Sequence, residues 1–218
     1  MKMIAAVCAV LTSCSAFAQN PPPAAARPHI DFSVENLQVQ PKAYSFVIYE
    51  DGSGSYSGSP GEDVGAGATR RPIHIDGAIA SEIFEAARTH HYFSIACETR
   101  QHDVAFTGKK TLAYTGPDGS GSCTFNYSRD PTLNKIVGKL EAISYTLEEG
   151  TRLKSEQLHD RLSLDAELAS LEEAAKDQRA IELANIAPEL ESIMSDDAVM
   201  ERARARARSI LAKSGVSR

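Results

Sequence analysis

The chain has 218 residues and a formal charge of -6, with 23 Lys and Arg against 29 Asp and Glu. That acidic balance excludes nucleic acid as the main partner, because phosphate contacts need clustered cations. At 42% hydrophobic and 24% charged residues the composition is that of a folded chain, not a disordered one. Beyond the first residues no apolar run of about 18 or more is available to span a bilayer.

Met1-Lys2-Met3, an apolar run over residues 4–11 and a small-residue end, Ala16-Phe17-Ala18, have the pattern of a secretory leader over 1–18. The expectation is export to the periplasm or the medium. A second cut competes with the one after Ala18. Leu11-Thr12-Ser13-Cys14 resembles a lipoprotein cleavage box, and a cut there would leave Cys14 carrying a lipid anchor. Residues 19–29, rich in Pro and Ala, follow as an extended tether.

With Cys8 and Cys14 in the leader, Cys97 and Cys123 remain. In an exported chain they most simply form a disulfide, and closing that loop stabilises the fold by about 3.5 kcal/mol on the chain-entropy relation. The rival readings, a metal pair or a reactive thiol, lack the close spacing such sites favour.

Residues 30–128 carry strand signals and one helix, within an α+β domain expected over 30–150. A strand over 44–49, a turn at Glu50-Asp51-Gly52-Ser53 and a return through Ser55-Tyr56-Ser57 form a hairpin. Residues 60–69 are a Gly- and Ala-rich loop, and 71–75 a further strand. Asp76 caps a helix whose stripe is Ile79, Ile83, Ala87 and His90. Residues 103–106, 110–115 and 123–127 are expected as a meander. Asp130-Pro131 opens a helix with the stripe Leu133, Ile136, Val137, Leu140, Ile143 and Leu147.

From 130 to 213 the period is helical, and residues 151–218 are expected as a helical extension. Leu164, Leu168, Leu171 and Ala175 mark one helix, Pro188 interrupts the pattern, and Ser195-Asp196-Asp197 is expected to cap the last helix. The order of elements predicts an α+β fold: a small antiparallel sheet with one packed helix, followed by an all-α helical extension.

Residues 44–143 resemble a small secreted α+β domain of uncharacterised bacterial proteins. The resemblance rests on residues 51–58, Ile73-His74-Ile75-Asp76, Tyr92-Phe93, Gly119-Ser120-Gly121, Phe125-Asn126-Tyr127 and the helix after Pro131. It implies a fold and brings no catalytic residues with it.

Catalytic constellations are weak. Gly54-Ser55-Tyr56-Ser57-Gly58 has a tyrosine where a nucleophile elbow needs serine. Gly108-Lys109-Lys110-Thr111 lacks the first glycine of a phosphate loop. Acid pairs such as Glu148-Glu149 and Glu172-Glu173 diverge by about 100° on a helix. One polar cluster could ligate zinc: His91, Glu98, His102 and Asp103, with His90 and Cys97 beside them. It lacks the spacing that sets two imidazoles on one helical face. His90 fits better as a packed helix-end residue. No cofactor is implied.

The last helix alternates arginine and alanine. At 100° per residue Arg202 and Arg206 fall on one side and Arg204 and Arg208 on the other, with an apolar stripe between them. Two readings follow. In one, this face docks on an envelope protein, a second copy or anionic headgroups. In the other, the stripe packs on the preceding helix, with the arginine stems covering its edges and pairing with nearby Asp and Glu. The leading expectation is a non-enzymatic exported scaffold or interaction module. The alternative is a hydrolase or metal-dependent enzyme with a site near residues 90–103.

Overall fold

The structure, a computed structural model, describes residues 27–39, 41–58, 70–99 and 105–215. Cys14, the leader, most of the tether, the loop over 60–69, His102 and Asp103 lie outside the described residues. The architecture is α+β, with a sheet in the first half and helices in the second.

Six strands form one sheet in the order β4-β3-β2-β1-β5-β6. They are β1 (His29–Glu35), β2 (Ala43–Tyr49), β3 (Ser53–Gly58), β4 (Arg70–His74), β5 (Lys109–Gly116) and β6 (Gly119–Phe125). Every neighbouring pair is antiparallel. The sequence reading ended the tether at His29 and named no strand over 30–35, yet β1 stands inside the sheet with β2 and β5 on either side. Its reason is plain alternation: Ile30, Phe32 and Val34 are buried, and Asp31 and Ser33 face the other way. Ala105 and Phe106, expected in a strand, precede β5 as irregular chain.

Two helices cover the sheet, where one was expected. The first is α1 (Gly77–Thr89), capped by Asp76, whose carboxylate accepts from the Ala78 N–H at 2.8 Å. The second is α2 (Pro131–His159), opened by Asp130, which accepts from the N–H groups of Thr132 and Leu133. The predicted stripe of α2 is buried in full. It joins Ile83, Phe84 and Ala87 of α1 and Phe32, Phe46 and Leu112 of the sheet in one core.

That core ends along α2 at Leu147, and a second begins at Leu153 of the same helix. The expected boundary at 150 therefore falls inside a continuous helix of 29 residues. The second core gathers α3 (Leu164–Lys176), α4 (Ala187–Ser195) and α5 (Glu201–Lys213). Pro188 stands in the first turn of α4, where its missing N–H costs nothing. The residue at the cap position of α5 is Met200; the side chain of Asp196 instead accepts from Ala198 N–H at 2.9 Å in the turn before it.

The halves are tied at β4. Asn185 mimics a neighbouring strand, accepting from His74 N–H and donating to His74 C=O, each at 2.8 Å. Arg71 donates to Asn185 C=O and pairs with Glu189 at 3.0 Å. Gly150 lets Ile186 seat on α2: a Cβ there would lie 2.5 Å from Ile186 Cγ2. None of the described helices is long and apolar enough to cross a membrane.

Candidate functional site

The cluster over 90–103 is taken up by structural bonds where it is described. Cys97 and Cys123 form a disulfide with Cα atoms 5.9 Å apart, which removes the thiolate. Glu98 accepts from Asn126 N–H at 2.6 Å. His90 closes α1: its Nε2 lies 2.9 Å from Asp130 Oδ2 and its Nδ1 3.1 Å from the Ala86 carbonyl. His91 is exposed. Among the described residues no three His, Cys, Asp or Glu side chains come close enough to hold a metal ion.

His91 opens an unusual turn. His91, Tyr92 and Phe93 are left-handed in succession, with φ of 51°, 57° and 66°. Non-glycine residues there cost about 1–2 kcal/mol each. Packing holds the turn: Phe93 is buried, and the Tyr92 ring stacks on Tyr114 at 5.1 Å. Gly119 admits that ring, since a Cβ would lie 2.2 Å from Tyr92 Cε2. Glycine in the β5–β6 hairpin is thus a packing requirement. Burial, with the Asp118 carboxylate beside it, pushes the Tyr114 hydroxyl up to about 12.

The arginine helix is largely turned inward. Ala203, Ala207, Ile210 and Leu211 are buried in the second core. Arg206 binds Asp165 and Glu172, each at 2.9 Å, and Arg202 binds Asp165 at 2.8 Å. Burial raises the carboxyl of Asp165, but the two guanidiniums outweigh it and hold it below its ordinary value. Arg204 binds Asp197 at 2.6 Å and Glu201 at 2.7 Å. Of the four, Arg208 is exposed and makes no ion pair among the described residues. These contacts are the internal pairing that the second sequence reading described.

The sheet itself has two unlike faces. One is the apolar core face. On the other, strand register sets Arg70, Ser57, Ser45, Ser33, Thr111 and Thr124 side by side across all six strands. The next row is Pro72, Ser55, Val47, Asp31, Ala113 and Ser122. Long charged side chains, usual on a wet sheet face, are rare in these rows. Thr111 and Thr124 bond to each other at 3.0 Å. All the described helices that pack on the sheet lie on the opposite side, with the core.

This hydroxyl face is dished at one end. Ser33, Ser45, Ser57, Glu35 and Ala43 line a hollow of about 310 Å³. Glu35 and Ala43 also border a groove of about 880 Å³ that runs on to Leu37, Lys42, Phe106, Lys109 and Asn126. Leu37 is 81% exposed and Phe106 54% exposed, so water meets apolar side chains at that end. Glu35 and Lys109 pair at 3.6 Å across the groove.

Sequence reading missed this surface. Its signal was available in the alternation Ile30-Asp31-Phe32-Ser33-Val34 and Phe46-Val47-Ile48 with Ser45 and Ser57 in phase, but only register lines the hydroxyls up. Behind the sheet, also unforeseen, Tyr56 donates to Glu148 at 2.5 Å and meets Ser144 at 3.1 Å, tying β3 to α2. No protein-family model matches the chain, and no curated protein matches it in sequence.

Proposed function

We propose that the protein is an exported, non-enzymatic interaction module whose contact surface is the open sheet face and the groove at its end. The observation that carries this reading is the juxtaposition of a hydroxyl face free of the described helices with exposed Leu37 and Phe106. Exposed apolar side chains beside a polar surface mark places where another molecule is covered. The helical extension is a packed buttress in this account, because three of the four arginines of α5 serve internal pairs. Export is supported by the disulfide, a bond kept in oxidising compartments. The resemblance of residues 44–143 to a small secreted domain belongs to the same reading, with release after Ala18 or a lipid on Cys14 as the two mature forms. Of the residues behind the metal-dependent alternative, Cys97 is held in the disulfide and Glu98 accepts from Asn126 N–H, while His102 and Asp103 lie outside the described residues.

Co-sedimentation of the purified protein with isolated bacterial envelopes tests the module. Retention is expected, and Ser45→Arg, which drives a long cation into the face, should abolish it while Arg208→Glu leaves it intact. Absence of retention, or retention indifferent to Ser45→Arg and lost with Arg208→Glu, would overturn it.

A further inference from the structure

Resting on the module reading, we infer that the occupant of this face is a polysaccharide chain of uncharged sugars, laid across the hydroxyl rows with one ring against Phe106. Sugars present hydroxyls around the ring edge and C–H groups on the ring face. A surface for them needs many small donors and acceptors and at least one exposed aromatic or aliphatic platform. Ser33, Ser45, Ser57 and Thr124 supply the first, and Phe106 with Leu37 the second. The hollow and the groove share Glu35 and Ala43, so an extended chain can run from one into the other without leaving concave surface. At strand spacing the face is about 24 Å wide, room for several sugar rings in line.

Charge selects among occupants. In a chain of net charge -6 this face is close to neutral, because three acids, Asp31, Glu35 and Glu98, stand against three cations, Arg70, Lys42 and Lys109, spread from one end to the other. Glu35 pairs with Lys109 at 3.6 Å, and Glu98 accepts from the Asn126 N–H. Anionic lipid or nucleic acid would seek a cationic field, and none is present across these rows. A neutral ligand rich in hydroxyls matches a neutral face rich in hydroxyls. An extended peptide fits less well, since peptides gain affinity by adding a strand at a free sheet edge. Here the β4 edge carries Pro72 and is occupied by Asn185, and β6 is flanked by the left-handed turn and the segment tied down by the disulfide.

The test is sedimentation of the purified full chain with three insoluble glycans: peptidoglycan sacculi, chitin and cellulose. Phosphatidylglycerol vesicles are the comparison. Retention on at least one glycan is expected. Phe106→Ala should weaken it by about tenfold, the scale of one lost aromatic platform. Ser45→Arg and Thr124→Arg should abolish it, and Leu162→Ala, at an exposed site in the helical extension, should change nothing. Circular dichroism of each variant separates lost binding from lost folding, and exposed Phe106 carries the argument should Ser45→Arg unfold. Failure to sediment with all three glycans overturns the inference, as does retention indifferent to both Phe106→Ala and Thr124→Arg. If the protein sediments with whole envelopes or with vesicles but with no glycan, the sugar occupant is wrong and the module stands.

Discussion

Single residues that break a local rule carry the most information here. Asp76 and Asp130 were legible as helix caps because a carboxylate before an amphipathic run has one common use. His91, Tyr92 and Phe93 were not legible, since nothing in their side chains favours a left-handed backbone; it is imposed by Phe93 in the core and Tyr92 on Tyr114. At exposed His91 no side-chain hydrogen bond or ion pair among the described residues offsets the strain, only the Ser94 N–H donating to its carbonyl at 2.9 Å. His91→Gly should therefore raise stability by about 0.5–1 kcal/mol in chemical denaturation, after the entropic cost of glycine; a loss would mean that the imidazole itself holds the turn. Glu149 breaks a different rule. It is 2% exposed, and its Oε2 has no hydrogen-bond partner among the described residues. Burial raises its carboxyl above the ordinary value, with Arg152 opposing and Glu167 adding to the rise. A raised group favours the protonated fold, so its stabilising effect is full below the ordinary carboxylate range and fades as pH climbs through the raised value. Glu149→Gln should flatten that decline in melting temperature and raise stability at pH 7, since Arg152, which also pairs with Glu149, keeps Glu167 at 3.1 Å as a partner. An unchanged pH profile would place the ionised form comfortably in the fold.

Elements with a strong period were easy to see, and elements defined by contact were not. The α2 stripe from Leu133 to Leu147 is buried as its spacing demands. The cap of α5 was misplaced because Ser195, Asp196 and Asp197 are all good capping residues, whereas the chain turns once more before the helix begins at Glu201. The strand β1 escaped notice beside the Pro/Ala tether although its alternation is strict. Length hid the role of α2: 29 residues extend about 43 Å, enough to serve two cores. Between the two cores it carries Gly150, a residue type that ordinarily costs a helix about 1 kcal/mol relative to alanine. Here it is needed for Ile186, so Gly150→Ala should lower stability by about 1–2 kcal/mol, overpacking outweighing propensity. Ile186→Leu, which removes the clashing Cγ2 branch at equal volume, should recover part of the loss in the same background. A stabilising Gly150→Ala would show that the helical extension is not seated on α2 as described.

At the scale of the whole molecule, the chain divides its labour between two cores threaded by one helix. The helical half spends its charges on itself, through Asp165, Glu172 and the arginines of α5. The sheet half leaves one face free of described helices, populated by serine and threonine and ending at Leu37 and Phe106. Composition and period could predict the α+β class and the two halves' content, because both depend on residues near one another in sequence. The open face depends on which of six strands lie side by side, and that is decided by long-range pairing. The central claim is that this face, not the arginine helix, meets the partner. Amide chemical-shift mapping of the isotopically labelled protein, titrated with soluble fragments of peptidoglycan, chitin and cellulose, tests it most directly. The account predicts shifts at Ser33, Ser45, Ser57, Thr111, Thr124 and Phe106, with α5 unmoved. Shifts confined to residues 201–213, with the sheet unmoved, would contradict it.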